Sequence, residues 1–129
     1  MLITINSMTS RDPALDVLLD LHDQVFVVDP AGHYWVKFIA RCVPATPERP
    51  HGLEYSLTLH GPEGERLVGF DNAHAVRRSA GPGGKADPAR DHRHRARSLR
   101  PYRYRDAATL LADFWAEVDD VLKERGVTP

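Results

Sequence analysis

The stretch "LEYSLTLH" (residues 53–60) alternates apolar and polar residues without a break. Leu53, Tyr55, Leu57 and Leu59 share one side of a strand and Glu54, Ser56, Thr58 and His60 the other, because successive side chains of extended backbone point to opposite faces. A strand with one face to bury and one to solvate belongs to an antiparallel sheet covered on a single side. "GPEG" then supplies turn chemistry, and "ERLVGFDN" (65–72) returns as the second arm of a hairpin. With an even turn, Val68 and Phe70 join the leucine side and Asp71 falls beside Ser56. Asp71 is therefore expected at a strand end on the open face. A one-residue slip would bury it, which an unpaired carboxylate resists.

The flanking sequence extends the sheet. "QVFVV" (24–28) and "HYWVKFIARCV" (33–43) surround the turn "DPAG". In the second run Tyr34, Val36, Phe38, Ala40 and Cys42 share an apolar face, so Cys42 is expected in the core and not as a nucleophile. "SRDPALDVLLDLH" reads as a short helix, with Asp12 as cap and Pro13 in the first turn. Three prolines make "PATPERP" (44–50) a loop. Residues 73–105 lack apolar periodicity and are expected as a basic loop.

Residues 106–125 form an amphipathic helix by pattern. Asp106 caps it and Gly126 ends it. Leu110, Leu111, Phe114, Trp115, Val118, Val121 and Leu122 make the apolar stripe. Phe114 and Trp115 lie within that stripe and are expected to pack the core. The outline is α+β: an antiparallel meander of about four strands, with a short N-terminal helix and a long C-terminal helix packed on one face, in a single domain over 1–129.

Other classes drop out. No apolar run approaches the roughly 18 residues of a spanning helix, so no membrane partner is expected. The N-terminus lacks secretory signal features, and the one cysteine excludes an internal disulfide; both point to a cytoplasmic protein. There is no G-x-S-x-G elbow, no zinc-finger or helix-turn-helix signature, and "GPGGKAD" lacks the hydroxyl and preceding strand of a phosphate loop.

The net charge of −1 conceals two opposed blocks. From Arg77 to Arg105 there are ten Lys/Arg against two Asp, a local charge of +8; the other hundred residues carry seven basic and sixteen acidic groups, or −9. Such a block can be merely solvated, can meet a polyanion such as RNA, or can be masked by an acidic protein.

Within the basic block, "DHRHR" (91–95) puts one Asp and two His in five positions. If extended, His92 and His94 project to one side, about 7 Å apart. One chemistry this suits is metal-free RNA cleavage, with His92 and His94 as acid and base and Asp71 or Asp91 orienting an imidazole. Arg93 and Arg95 would hold phosphate, and Tyr102 and Tyr104, interleaved with arginines, would stack bases; the two tyrosines could equally pack the loop against the sheet. A second reading is a metal-dependent hydrolase using a divalent cation on Asp71, His74, His92 and His94. A third is a non-catalytic binding module in which the arginines matter and the histidines do not.

In order, "LVGFDN", "DHRH", "PYRY" and "LLADFWAEVDDVL" resemble the TumE-type toxin family of bacterial toxin–antitoxin systems, over about Leu53 to Val121. The matching positions are Asp71, Asn72, Asp91, His92, His94, Pro101, Tyr102, Tyr104, Asp113 and Phe114, which adds Asn72 to the candidate substrate-binding residues. The spacing between Asn72 and Asp91 is longer than the family pattern, and Arg100 stands where an acidic residue is expected. The resemblance implies a growth-inhibiting toxin whose partner is a cognate antitoxin with a helix-turn-helix DNA-binding domain. RNA as substrate is an inference from the residues; no cofactor is implied, and a homo-oligomer is left open.

Overall fold

The computed structural model describes residues 12–47, 49–72, 91–95 and 98–127. Among the described residues the first element is a short helix, α1 (Leu15–Asp20), and the last a long one, α2 (Ala107–Glu124). Between them run six strands: β1 (Val25–Val27), β2 (Trp35–Cys42), β3 (Leu53–His60), β4 (Arg66–Asp71), β5 (His92–Arg95) and β6 (Ser98–Pro101). They form one antiparallel meander in sequence order.

The expected hairpin register holds. Leu57 pairs with Phe70, Leu59 with Val68, and Ser56 with Asp71. The connection is one residue longer than an even turn, and a bulge between Leu59 and His60 absorbs the extra residue. The bulge has a local consequence: Arg66 pairs with His60 and so joins the face away from the leucines.

The leucine side is the core. Val36, Phe38, Leu57, Leu59, Val68 and Phe70 meet Leu110, Phe114 and Val118 of α2, all essentially inaccessible. Phe114 packs edge-on to Phe38 at 5.6 Å and to Phe70 at 6.1 Å. Burying each such side chain is worth about 1.5–3 kcal/mol, far more than helix propensity alone supplies.

Both ends of α2 follow their sequence signals. The Asp106 side chain accepts from Thr109 N–H at 2.7 Å, and Gly126 takes the positive φ of 73° that ends the helix. Asp12 does less for α1 than expected. It accepts weakly from Ala14 N–H at 3.3 Å, while its other oxygen accepts from Tyr104 O–H at 2.8 Å and Ala107 N–H at 2.5 Å. The acidic side chain thus ties the segment just before α1 to the start of α2.

Three expectations need correction. The sheet has six strands among the described residues and not about four, because "HRHR" pairs with β4 and "SLRP" pairs with "HRHR". Their core-side positions are arginines that meet glutamates of α2, so these strands carry no apolar alternation to reveal them. Cys42 is exposed, since β2 runs two residues beyond Ala40, its last buried position. Trp115 packs against Phe38 but remains 40% exposed at the margin of the helix stripe.

Candidate functional site

The face of the sheet opposite α2 gathers the titratable groups. His92 pairs with Asp71 and His94 with Gly69, so both imidazoles stand on the same side as the Asp71 carboxylate. Their ring centroids are 6.2 Å apart, in keeping with the i, i+2 spacing of an extended "HRH". Gly69 makes the cluster compact: a Cβ there would lie 3.2 Å from Arg66 Cδ and 3.6 Å from His94 Cδ2. The missing side chain is the space over which Arg66 and His94 meet.

The contacts form a chain. Arg66 Nη2 lies 3.2 Å from His94 Nδ1, and His94 Nε2 lies 3.1 Å from Asp71 Oδ2. A guanidinium has only hydrogens to offer, so Nδ1 is the acceptor and the neutral ring carries its proton on Nε2, facing the carboxylate. The Nε2 contact is close but off the N–H axis, and neither Asp71 oxygen has an aligned hydrogen bond; His92 Nδ1 is also buried without one. The His94 pKa is lowered, first by burial and then by the Arg66 charge, with Asp71 acting in the opposite direction. A neutral imidazole is the result at neutral pH.

Asp71 is only 2% exposed, which corrects the expectation of an open-face carboxylate. β4 is buried on both faces after its first residue. Asp71 keeps the predicted pairing with Ser56 but is enclosed, beside the His94 ring. Asn72, also buried, closes the strand end: its side-chain oxygen accepts from Tyr55 N–H at 2.9 Å and its amide donates to Leu53 C=O at 2.8 Å. The side chain extends the β3–β4 ladder as a peptide group would.

The remaining candidates lie on the helix side. Asp91 accepts from Tyr55 O–H at 2.6 Å, and burial raises its pKa despite that bond. Tyr102 O–H donates to Asp113 at 2.7 Å with its ring edge-on to Phe70 at 4.9 Å, and Tyr104 is buried with its hydroxyl on Asp12. Burial, then the neighbouring carboxylate, pushes both phenols well above their ordinary range. Arg93 lies 3.7 Å from Glu117, and Arg95 pairs with Glu117 at 3.1 Å and with Glu124. With Arg100 these groups line a cleft of about 370 Å³. The structure therefore brings Asp71, His92 and His94 together, adds Arg66, and separates them from Asp91, Arg93, Arg95, Tyr102 and Tyr104 by the thickness of the sheet.

Arg66 had no motif to mark it; only the bulge turns it toward His94. Trp35 and His60, stacked at 4.0 Å and nearly parallel, also lie on the site's face, with His60 paired to Arg66. For the metal reading, His74 lies outside the described residues. Among the described residues no group of three or more His, Cys, Asp or Glu is placed to hold a metal ion.

The family model described as Toxin TumE matches residues 22–122, most of the chain and every described strand. The chain belongs to the TumE toxin family. The matched region includes the Asp71–His94 contact, both histidines and most of α2. No curated protein and no solved structure matches the chain significantly. Membership in the TumE family makes this chain the toxin component of a toxin–antitoxin system, with a cognate antitoxin as its partner. Among the described residues no helix is long and apolar enough to cross a membrane.

Proposed function

We propose that this toxin cleaves RNA without a metal, using His94 as general base, His92 as general acid and Arg66 as the cation that meets the scissile phosphate. The observation that carries the reading is a neutral His94 whose Nδ1 lone pair faces the exposed Arg66 side chain while Nε2 faces a buried Asp71. Arg66 occupies the position a substrate hydroxyl needs. When a phosphate draws the guanidinium away, Nδ1 is free to take the proton of a ribose 2′-hydroxyl.

The attacking 2′-oxygen then bonds to the adjacent phosphorus, and the bond from phosphorus to the 5′-oxygen breaks. His92 in its protonated form gives its proton to that leaving oxygen. The products are a 2′,3′-cyclic phosphate and a free 5′-hydroxyl. Asp71 holds the His94 ring in orientation and stabilises the imidazolium formed during the step. Arg66 offsets charge developing on the phosphoryl oxygens. The Trp35–His60 ring pair supplies an aromatic surface on the same face for a flanking base. The antitoxin is expected to carry the helix-turn-helix domain, and the work is expected to take place in the cytoplasm.

The test is cleavage of labelled RNA by purified chain in the presence of a chelator. We expect cyclic-phosphate termini, and losses of at least about 100-fold for His94→Ala and His92→Ala with unchanged circular dichroism. Activity abolished by the chelator and restored by a divalent cation would move the assignment to the metal-dependent hydrolase. Folded histidine variants that still arrest growth would favour the non-catalytic binding module.

A further inference from the structure

Among the described strands β1 is the first edge of the sheet, and all three of its residues are exposed: Val25 by 53%, Phe26 by 41% and Val27 by 60%. An uncovered apolar edge is a liability that folded proteins usually blunt with charge or proline. Phe38 N–H donates to Gln24 C=O at 3.1 Å and Val28 N–H donates to Tyr34 C=O at 2.9 Å. Residues 24, 26 and 28 thus aim their backbone at β2, so the backbone groups of Val25 and Val27 point away from the sheet.

Beside this edge lies a groove of about 610 Å³ between Val28 and α2, floored by Ala112, Trp115, Ala116 and Leu122. Phe26 continues the apolar surface through Phe38, which touches both Phe26 and Trp115 at 6.0 Å between centroids. Around it acidic side chains predominate, with Lys37, opposite Val25 in the register, and Lys123 of α2 as basic neighbours. Asp23 and Asp29 flank β1, Asp29 with one oxygen accepting from Tyr34 N–H at 2.8 Å, and Asp119 lines the groove. Lys123 holds Asp119 at 3.2 Å, an exposed pair of little worth.

We infer that the cognate antitoxin adds an extended segment to the outer edge of β1, with apolar side chains entering the Trp115 groove and lysines or arginines meeting Asp23, Asp29 and Asp119. Strand addition uses the outward N–H and C=O groups of Val25 and Val27, and alternate side chains read the groove. The acidic rim selects a basic segment by complementarity. A second copy of this chain fits poorly. Antiparallel self-pairing that uses Val25 opposite Val27 would set Asp23 against Asp29 of the other copy, two like charges across a strand pair. The inference rests on the family's antitoxin and not on the proposed RNA chemistry: β2, β3 and β4 separate β1 from β5, and antitoxin affinity and hydrogen exchange need no substrate, although Val27 pairs with Trp35 of the proposed base surface.

Val27→Pro is the first variant. Its N–H points outward, so proline there removes nothing from the β1–β2 ladder but blocks an added strand. Ala116→Arg fills the groove from an exposed helix position and adds a like charge against a basic segment. Each is expressed in cells with and without the cognate antitoxin. We expect both to arrest growth alone as wild type does, and to escape neutralisation, with antitoxin affinity lowered at least tenfold. Normal neutralisation of both variants overturns the inference.

Hydrogen exchange on the unaltered full chain gives an answer that does not depend on how a variant folds. Val25 and Val27 amides are expected to exchange rapidly in the free chain and to be protected at least tenfold in the complex with co-expressed antitoxin. Protection already present in the free chain, or no change in the complex, overturns it.

Discussion

Arg66 and Asp71 both lie against the His94 ring, and this makes His94 the residue to titrate. Its pKa is lowered from the ordinary 6.5 by burial and Arg66 against the pull of Asp71. Arg66→Ala should therefore raise the His94 pKa and Asp71→Asn should lower it further, read from the imidazole proton shifts by NMR. Opposite movements would remove the coupling assigned here. The sign for stability follows from linkage. The unfolded ring takes up a proton near pH 6.5, before the folded one does, so stability falls as pH drops below about 6.5 and levels once the folded ring is also protonated. Urea unfolding across that window should show the slope, and His94→Gln should flatten it.

Among the elements, β4 and β5 carry the candidate site, while β3 and α2 hold β4 in place through the ladder and the core. Asn72→Ala leaves the buried Tyr55 N–H and Leu53 C=O without partners, and each should cost about 1–3 kcal/mol. A substrate-contacting asparagine would instead lose activity with no change in unfolding midpoint, so denaturation separates the two roles. Phe114→Ala, at the contact between Phe38 and Phe70, should cost about 3–5 kcal/mol by the same measurement. Gly69→Ala is the milder probe of the site: its methyl must displace Arg66 Cδ from 3.2 Å, so RNA cleavage should fall more than stability does.

For the molecule as a whole, the opposed charge blocks resolve into surfaces. Part of the basic block is spent within the fold, where Arg93 and Arg95 face Glu117 and Glu124 of α2. Arg100, Arg103 and Arg105 remain exposed. If these three track an RNA backbone, replacing all of them by glutamine should reduce the salt dependence of RNA binding by about two in log–log slope. A slope unchanged by the triple replacement would leave the exposed arginines without a role in binding.

The hairpin register, the C-terminal helix and the α+β plan were legible in the amino-acid order, because each rests on a local period: two for "LEYSLTLH" and 3.6 for the stripe through Leu110 and Phe114. The same order also determined that His92 and His94 share a face, since alternation alone requires it once the segment is extended. Tertiary structure decided what local period cannot encode. β5 and β6 exist because Arg93 and Arg95 find glutamates on a helix some twenty residues further on, so their inward positions look polar. Cys42 is exposed because cover ends before the strand does. Arg66 enters the site through a single bulge, and Asp91, next to His92 in sequence, leaves it because adjacent residues of a strand point to opposite sides of the sheet.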